Sequence, residues 1–323
     1  MIRAGLVGYG YWGRNLARHL HALSGSRLEA VSDIDPAQLK SAAELYPGVR
    51  TYADAGRLIA DPWVDAVVIA TPPSTHFPLA IASLRAGKHT WIEKPMACNS
   101  ADAETLIEEA AKRRLMLMVD HTFVYSPPVR KIGELLRGGE LGSLFYYDSV
   151  RANLGRFQAD ADVLWDLAAH DFAILDYLLA EEPETVAVSG SAHVSDLMEV
   201  AHVSLSYPSG FHAHVHVSWL TPVKIRQVIL AGSRRMLLWN DLDAVRRLEI
   251  YDHVPEAGDK QRRIGYRTGA VHVPWLEVAE PLETAMEHFL ECIETGAAPL
   301  TDGEAGCRVV RLLERASRAT RRL

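Results

Sequence analysis

The hexapeptide Gly8-Tyr9-Gly10-Tyr11-Trp12-Gly13 stands between a short apolar run, Ile2–Val7, and a stretch of helical periodicity that begins near Arg14. Glycines at the first, third and sixth places of a strand-to-helix turn restrict severely what can surround them. The first permits a tight turn, the third lets backbone come close to a ligand, and the sixth lets the helix pack closely on the strand. The helix amino terminus that follows presents N–H groups and a positive dipole end, which suits a pyrophosphate. A glycine-rich loop with no ligand is the alternative, and the strand before and helix after argue against it. Asp33 lies 20 residues beyond Gly13 at the end of a second apolar run. A carboxylate there accepts hydrogen bonds from ribose hydroxyls and repels a 2′-phosphate, and the following Ile34-Asp35 brings no arginine to receive one. NAD is therefore the expected cofactor. Asp33 could instead open the turn before Pro36, although Asp35 is the more natural turn residue.

The runs Ile2–Val7, Leu28–Ser32, Ala66–Ala70, His89–Ile92 and Leu115–Val119 read as strands with helices between them. That alternation predicts βαβ units and a parallel sheet, with the ligand site at the carboxyl ends of the strands. A chain of 323 residues is long for one domain. The pattern changes after Asp120, where Ser126-Pro127-Pro128 precedes a helical run over Val129–Leu136, so the expected domains are 1–122 and 123–323. In the second, a helix over Val163–Leu179 is followed by strands of alternating polarity. Leu205 and Tyr207, the turn Pro208-Ser209-Gly210, then Phe211, Ala213, Val215, Val217 and Trp219 predict a hairpin with one apolar face. Two helices, near Pro281–Thr295 and Asp302–Arg321, close the chain. The fold class expected is α/β: an N-terminal Rossmann parallel sheet, then an α/β domain with a largely antiparallel open sheet.

Composition excludes several functions. A net charge of −7 and the absence of any long Lys or Arg block leave no field for nucleic acid. Apolar residues at 48% and charged residues at 23% are ordinary for a globular protein with a large core. No stretch approaches the roughly 20 apolar residues needed to span a bilayer, and the amino terminus lacks a signal-peptide cleavage pattern, so the expectation is a cytoplasmic protein with no membrane partner. Cys98, Cys292 and Cys307 suit neither a disulfide framework nor a zinc site. His212, His214 and His216 alternate along one strand and share a face able to chelate a metal. No acidic or cysteine ligand follows at a convincing spacing, so no metal is expected. The arginines at 315, 318, 321 and 322 read as a solvated helix face.

Thr71-Pro72-Pro73-Ser74-Thr75-His76 and Glu93-Lys94-Pro95 both follow strands, at the carboxyl edge of the sheet. A lysine there can donate a hydrogen bond and positive charge to a developing alkoxide, although a strand-end lysine taken alone is more often solvated surface. Asp166 and His170 are four apart in a helical pattern and share a face. Histidine, with an unperturbed pKa near 6.5, suits removal of a hydroxyl proton as hydride leaves the same carbon. Without Lys94 upstream, the pair would read as a helical ion pair worth about 0.2–0.5 kcal/mol.

The glycine fingerprint, Ala70-Thr71-Pro72-Pro73, Ala86-Gly87-Lys88-His89 leading into Glu93-Lys94-Pro95, and Asp166-Leu167-Ala168-Ala169-His170 together resemble the Gfo/Idh/MocA oxidoreductases over nearly the whole chain. The resemblance implies a catalytic set of Lys94, Asp166 and His170. It implies a cofactor site formed by Gly8, Gly10, Tyr11, Trp12, Gly13, Asp33, Ile34, Thr71, Pro72, Pro73, His76, Glu93 and Lys94. It also implies a homodimer or homotetramer, since the family often buries its second sheet between subunits. Residues 121–125, 151–155 and 163–166 are similar to the branch of nucleotide-sugar 3-dehydrogenases and sugar 3-ketoreductases. Lys94, Tyr125, Arg151, Asn153, Asp166 and His170 would then be the contacts to a sugar-like substrate, with Arg151 suited to a phosphate. Asp120 departs from the glycine usual in that branch, and a carboxylate there could touch substrate or act on Lys94. The expected activity is NAD-dependent hydride transfer at a secondary hydroxyl of a sugar or nucleotide-linked sugar. The alternatives are an inositol, polyol or glycoside dehydrogenase, a glycosidase that uses NAD transiently, and a redox-silent NAD-binding regulator.

Overall fold

A computed structural model describes residues 1–155, 157, 161–179, 181–256 and 265–322, and the chain divides into two units. Unit 1 comprises Met1–Tyr125 and Ala279–Arg311. It opens with strand β1 (Ile2–Val7), helix α1 (Tyr11–Ala22), β2 (Ser26–Ser32), α2 (Pro36–Leu45), β3 (Arg50–Tyr52) and α3 (Ala55–Ile59). It continues through β4 (Ala66–Ile69), α4 (His76–Arg85), β5 (His89–Glu93), α5 (Ser100–Arg113) and β6 (Leu117–Asp120). All six strands are parallel, in the order β3-β2-β1-β4-β5-β6. Strand order reverses between β1 and β4, so the loops after these two strands part in opposite directions and open the crevice where ligands of such sheets bind. The fully buried run Ala66–Ile69 and the buried Trp91, Ile92, Met118 and Val119 are apolar without alternation, as a sheet covered on both faces requires. Each of the Val, Ile and Met side chains among them contributes on the order of 1.5–3 kcal/mol by burial.

Local chemistry sets the helix ends. Asp35 accepts the Ala37 amide at 2.8 Å and Pro36 takes the first helical place, so α2 starts there. The Asn99 side chain accepts the Asp102 amide at 2.8 Å and starts α5.

The second segment of unit 1 contains the helix Pro281–Thr295 and the first part of Gly303–Ala319. A single boundary near residue 122 does not anticipate this return. Its cause is an apolar face: Leu282, Met286, Phe289 and Leu290 are buried, and the Phe289 ring meets Trp91 edge-on with centroids 5.5 Å apart. Gly303 and Gly306 keep the last helix against β6, since a Cβ on Gly306 would stand 2.6 Å from Val119 Cγ2.

Unit 2 comprises Ser126–Val278 and Leu312–Leu323. It holds α6 (Pro127–Arg137), β7 (Leu144–Leu154), α7 (Ala169–Leu178), β8 (Thr185–Ser191), β9 (Val200–Ser206), β10 (His212–Ser218) and β11 (Leu220–Gly232). Then come β12 (Met236–Asn240), β13 (Leu248–Tyr251), β14 (Val254–Glu256), β15 (Gly265–Arg267) and β16 (Val271–His272). The return helices Pro281–Thr295 and Gly303–Ala319 are α8 and α9, and the last strand is β17 (Thr320–Arg322). Nine strands form one sheet, β16-β13-β12-β11-β7-β10-β9-β8-β17, antiparallel except for the β7–β10 and β8–β17 pairs. The hairpin expected at 205–219 is β9 and β10, and all seven of its apolar positions are buried. On the other face His212 and His214 pair through Nδ1 with the hydroxyls of Ser206 and Ser204, and His216 stacks on His202 at 4.2 Å. No helix among the described residues is long and apolar enough to cross a membrane.

Candidate active site

The glycine loop in unit 1 divides its labour among its three glycines. Gly8 has φ +93°, and a Cβ there would lie 2.5 Å from Ala70 O; a Cβ on Gly13 would lie 2.0 Å from Gly8 O. Both glycines are demanded by the fold itself. Gly10 is different: its Cβ would meet no atom within 4 Å, and its φ is an ordinary −71°. The space over Gly10, at the first turn of α1, is where an anion can approach backbone N–H groups. Asp33 braces the loop, its Oδ2 accepting the Tyr9 amide at 2.7 Å and its Oδ1 the Asp35 amide at 2.9 Å. Ile34 and Tyr11, 93% and 74% exposed, flank it as uncovered apolar surface. These residues fit a dinucleotide.

The loop after β4 is tied to the turn after β5. His76 is fully buried, with Nδ1 2.7 Å from Pro95 O and Nε2 2.8 Å from Thr71 O, so it straps Thr71-Pro72-Pro73 to the Lys94-Pro95 segment. The Lys94–Pro95 peptide is cis. Lys94 follows the last residue of β5, and its amide lies 3.2 Å from Glu93 Oε2. Glu93 and Asp120 face each other on the last rung of the β5–β6 pairing. Asp120 Oδ1 accepts from Thr122 Oγ1 at 2.6 Å and Oδ2 from Trp12 Nε1 at 3.3 Å. The carboxylate that departs from the family pattern is thus buried, and it grips the glycine loop. Burial, then the neighbouring charge of Asp120, pushes the Glu93 carboxyl well above the usual range; burial raises Asp120 too. Next to Asp120, His121 is buried and held neutral, its pKa brought down to about 3 by desolvation and then by Lys94.

In unit 2, Asp166 and His170 belong to a continuous helical segment, but Leu164–Ala168 forms a π turn that leads into α7. The Asp162 carboxylate starts it by accepting the Leu164 and Trp165 amides. A π turn widens the spiral locally and re-aims the side chains it carries, a device frequent at functional sites. Asp166 Oδ2 accepts from the indole of the buried Trp219 at 3.0 Å. Trp219 as the anchor of Asp166 was not legible in the sequence. Gly155 was the available signal, because a Cβ there would stand 2.9 Å from the Trp219 ring.

Two of the expected substrate contacts are spent inside their own units. Tyr125 is buried, and its hydroxyl bonds with His288 Nδ1 at 3.0 Å and Thr301 Oγ1 at 3.4 Å. Arg151 is 5% exposed and donates from Nε to Asp171 Oδ2 at 2.9 Å, while Asp171 Oδ1 accepts the Tyr147 hydroxyl at 3.0 Å. A guanidinium committed to a buried carboxylate is poorly placed to receive a phosphate. Asn153, two residues on, is half-buried.

Residues 2–121 match the oxidoreductase family with an NAD-binding Rossmann fold, Gfo/Idh/MocA, and residues 129–238 match the C-terminal domain of that family. The chain is 32% identical to UDP-N-acetylglucosamine 3-dehydrogenase of Acidithiobacillus ferrooxidans, over 96% of this chain and 94% of that one. The chain belongs to the Gfo/Idh/MocA oxidoreductases. A crystal structure of the same Acidithiobacillus ferrooxidans enzyme superposes with a TM-score of 0.85 at 28% identity, covering 99% of this chain and 97% of that one. Myo-inositol 2-dehydrogenase of Thermotoga maritima is 30% identical over 65% of this chain and 66% of its own length. The protein is therefore an NAD-binding oxidoreductase acting on CH–OH groups, as its glycine loop and strand-end lysine lead one to expect.

Proposed function

We propose that this chain interconverts a ring secondary hydroxyl and the corresponding ketone of a sugar, with nucleotide-linked sugars preferred over free inositols. One observation carries the reading: Lys94 stands at the carboxyl edge of the sheet whose switch point holds the Gly8–Gly13 loop. NAD, held by Gly8–Gly13, Asp33, Ile34 and the Thr71–Pro73 loop, supplies when bound a two-electron acceptor for the hydride of the carbinol carbon. The protein's own residues manage the proton. The His170 imidazole removes it from the hydroxyl, Lys94 donates to the oxygen as negative charge gathers there, and Asp166, steadied by Trp219, orients His170 or a neighbouring hydroxyl. Run in reverse, the same groups return the proton to the alkoxide.

The preference for nucleotide-linked sugars rests on two supports. Over nearly the full length, the chain is 32% identical to a nucleotide-sugar enzyme and 26% identical to an inositol 2-dehydrogenase of Rhizobium meliloti. Burial of Asp120 also keeps its carboxylate away from a substrate diphosphate, which it would otherwise repel. The test is a screen of free inositols, aldoses and nucleotide-linked sugars with NAD, following reduced nicotinamide. Preference for a free inositol over every nucleotide sugar would overturn the substrate class, and free sugar released without accumulated reduced cofactor would favour a glycosidase. A homodimer or homotetramer in the cytoplasm is the proposed setting; light scattering of the purified protein would read the assembly.

A further inference from the structure

Two carboxyl groups at the ends of neighbouring strands, directly beside the lysine assigned to the reacting oxygen, are more than that assignment requires. Glu93 and Asp120 are direct cross-strand partners in a parallel pair, which brings their side chains side by side on one face of the sheet. Carboxylates are acceptors only, so the two can hydrogen-bond to each other only with a proton on one. Asp120 is 1% exposed and the Glu93 Oε1 atom is sealed from solvent. Two like charges in contact and out of water cannot both persist.

We propose that Glu93 and Asp120 act as one acid–carboxylate pair sharing a single proton at neutral pH. Through it, Asp120 is a positioning residue that keeps one negative charge beside Lys94 and holds Trp12 of the glycine loop. The functional half of this inference rests on the oxidoreductase reading above; the shared proton does not.

The hydrogen bonds assign the proton. Asp120 receives two donors, Thr122 Oγ1 at 2.6 Å and Trp12 Nε1 at 3.3 Å, which favour its ionised form. Glu93 receives only the Lys94 amide, at 3.2 Å on Oε2, and Oε1 has no donor among the described residues. Glu93 is therefore the acid and Asp120 the carboxylate. Lys94, from the turn after β5, is the charged group that acts on the pair, and the titratable His121, next to Asp120 at the end of β6, feels Lys94 in turn. Trp12 brings a neutral indole from α1, and Thr122 brings a hydroxyl. His121 stays neutral, so one ammonium faces one net negative charge. Loss of the shared proton at higher pH would put a second negative charge beside Lys94, competing with the substrate oxygen for its N–H groups.

Infrared difference spectroscopy of the whole protein tests the pair without reference to turnover. The unmodified protein should show a protonated carboxyl C=O band at neutral pH that bleaches as pH is raised. Glu93→Gln should lose it, since Asp120 is then left alone with two donors, whereas in Asp120→Asn the buried Glu93 acid should keep a band that bleaches at lower pH once the neighbouring charge is gone. Absence of the band from the unmodified protein, or its survival in Glu93→Gln, would overturn the proposal. The second readout is the pH profile of kcat/KM: Asp120→Asn should move one ionisation of the basic limb to lower pH. A purely structural Asp120 would lower turnover and leave the profile's shape unchanged, which would overturn the positioning role. Failure to find any alcohol that reduces NAD would sink the oxidoreductase reading while leaving the infrared result standing.

Discussion

Replacing Gly10 and Gly13 by alanine, one at a time, should separate binding from folding within a single loop. At Gly13 the new Cβ would lie 2.0 Å from Gly8 O and 2.9 Å from Gly8 C, both backbone atoms that cannot swing aside. The α1 terminus must move away from the β1 turn, and overpacking of this kind costs about 1–3 kcal/mol. At Gly10 the Cβ meets nothing within 4 Å, and φ −71° with ψ −158° is open to alanine. Stiffening the unfolded chain contributes about 0.4–1 kcal/mol, and alanine's poor fit at an N-cap removes a similar amount, so the net change is about zero. The methyl group does fill the space where a phosphate approaches the helix N–H groups. Loss of one charge-assisted hydrogen bond, about 1.5–3 kcal/mol, corresponds to a ten- to hundredfold weaker NAD dissociation constant. Urea denaturation without cofactor and calorimetric titration with NAD measure the two effects. Gly10→Ala should unfold like the unmodified protein and bind NAD poorly, whereas Gly13→Ala should unfold early. Equal destabilisation by both, or unchanged NAD affinity in Gly10→Ala, would refute the reasoning.

Three further outcomes follow from named contacts. Asp33→Ala should lower the preference for NAD over NADP by about tenfold or more, because a carboxylate that favours ribose hydroxyls and repels a 2′-phosphate is lost; calorimetry with both cofactors checks this, and an unchanged ratio would remove Asp33 from the role. Asp171→Asn removes the buried carboxylate that accepts from Arg151 Nε and should cost about 3–5 kcal/mol in denaturant unfolding, and a change under about 1 kcal/mol would contradict the buried pair. The His121 pKa falls from 6.5 to about 3 on folding, so between these values the unfolded chain binds the extra proton and stability falls as pH falls, by up to about 1.4 kcal/mol per unit. His121→Gln should flatten that loss relative to the unmodified protein, and parallel stability curves would show that His121 is not held neutral.

Features carried by adjacent residues were legible in the sequence. The glycine loop, five of the six strands of unit 1, the 205–219 hairpin and the helix over Pro281–Thr295 follow from short-range periodicity and turn chemistry, whereas β3, only three residues long, carries no pattern to read. Contacts made across the fold were not. Arg151 reads as a free guanidinium until β7 brings it to Asp171 of α7, and Tyr125 reads as a substrate contact until α8 supplies His288. The π turn at Leu164–Ala168 leaves no mark on a spacing of four, because a turn of 3.6 and a wider one both keep Asp166 and His170 near one face. Glu93 and Asp120 both end strands of the parallel sheet, but pairing them needs the register of β5 on β6, which a hydrophobic pattern buried on both faces does not specify.

Single-turnover hydride transfer tests the central claim most directly. The enzyme would be loaded with NAD and mixed with the best substrate of the screen, and the appearance of reduced nicotinamide followed in the unmodified protein, Lys94→Ala and His170→Ala. The rate should fall by about 10²–10⁴-fold in His170→Ala, the contribution of a positioned proton acceptor, and comparably in Lys94→Ala, with NAD binding retained in both. Hydride transfer at the unmodified rate in either variant would contradict that claim.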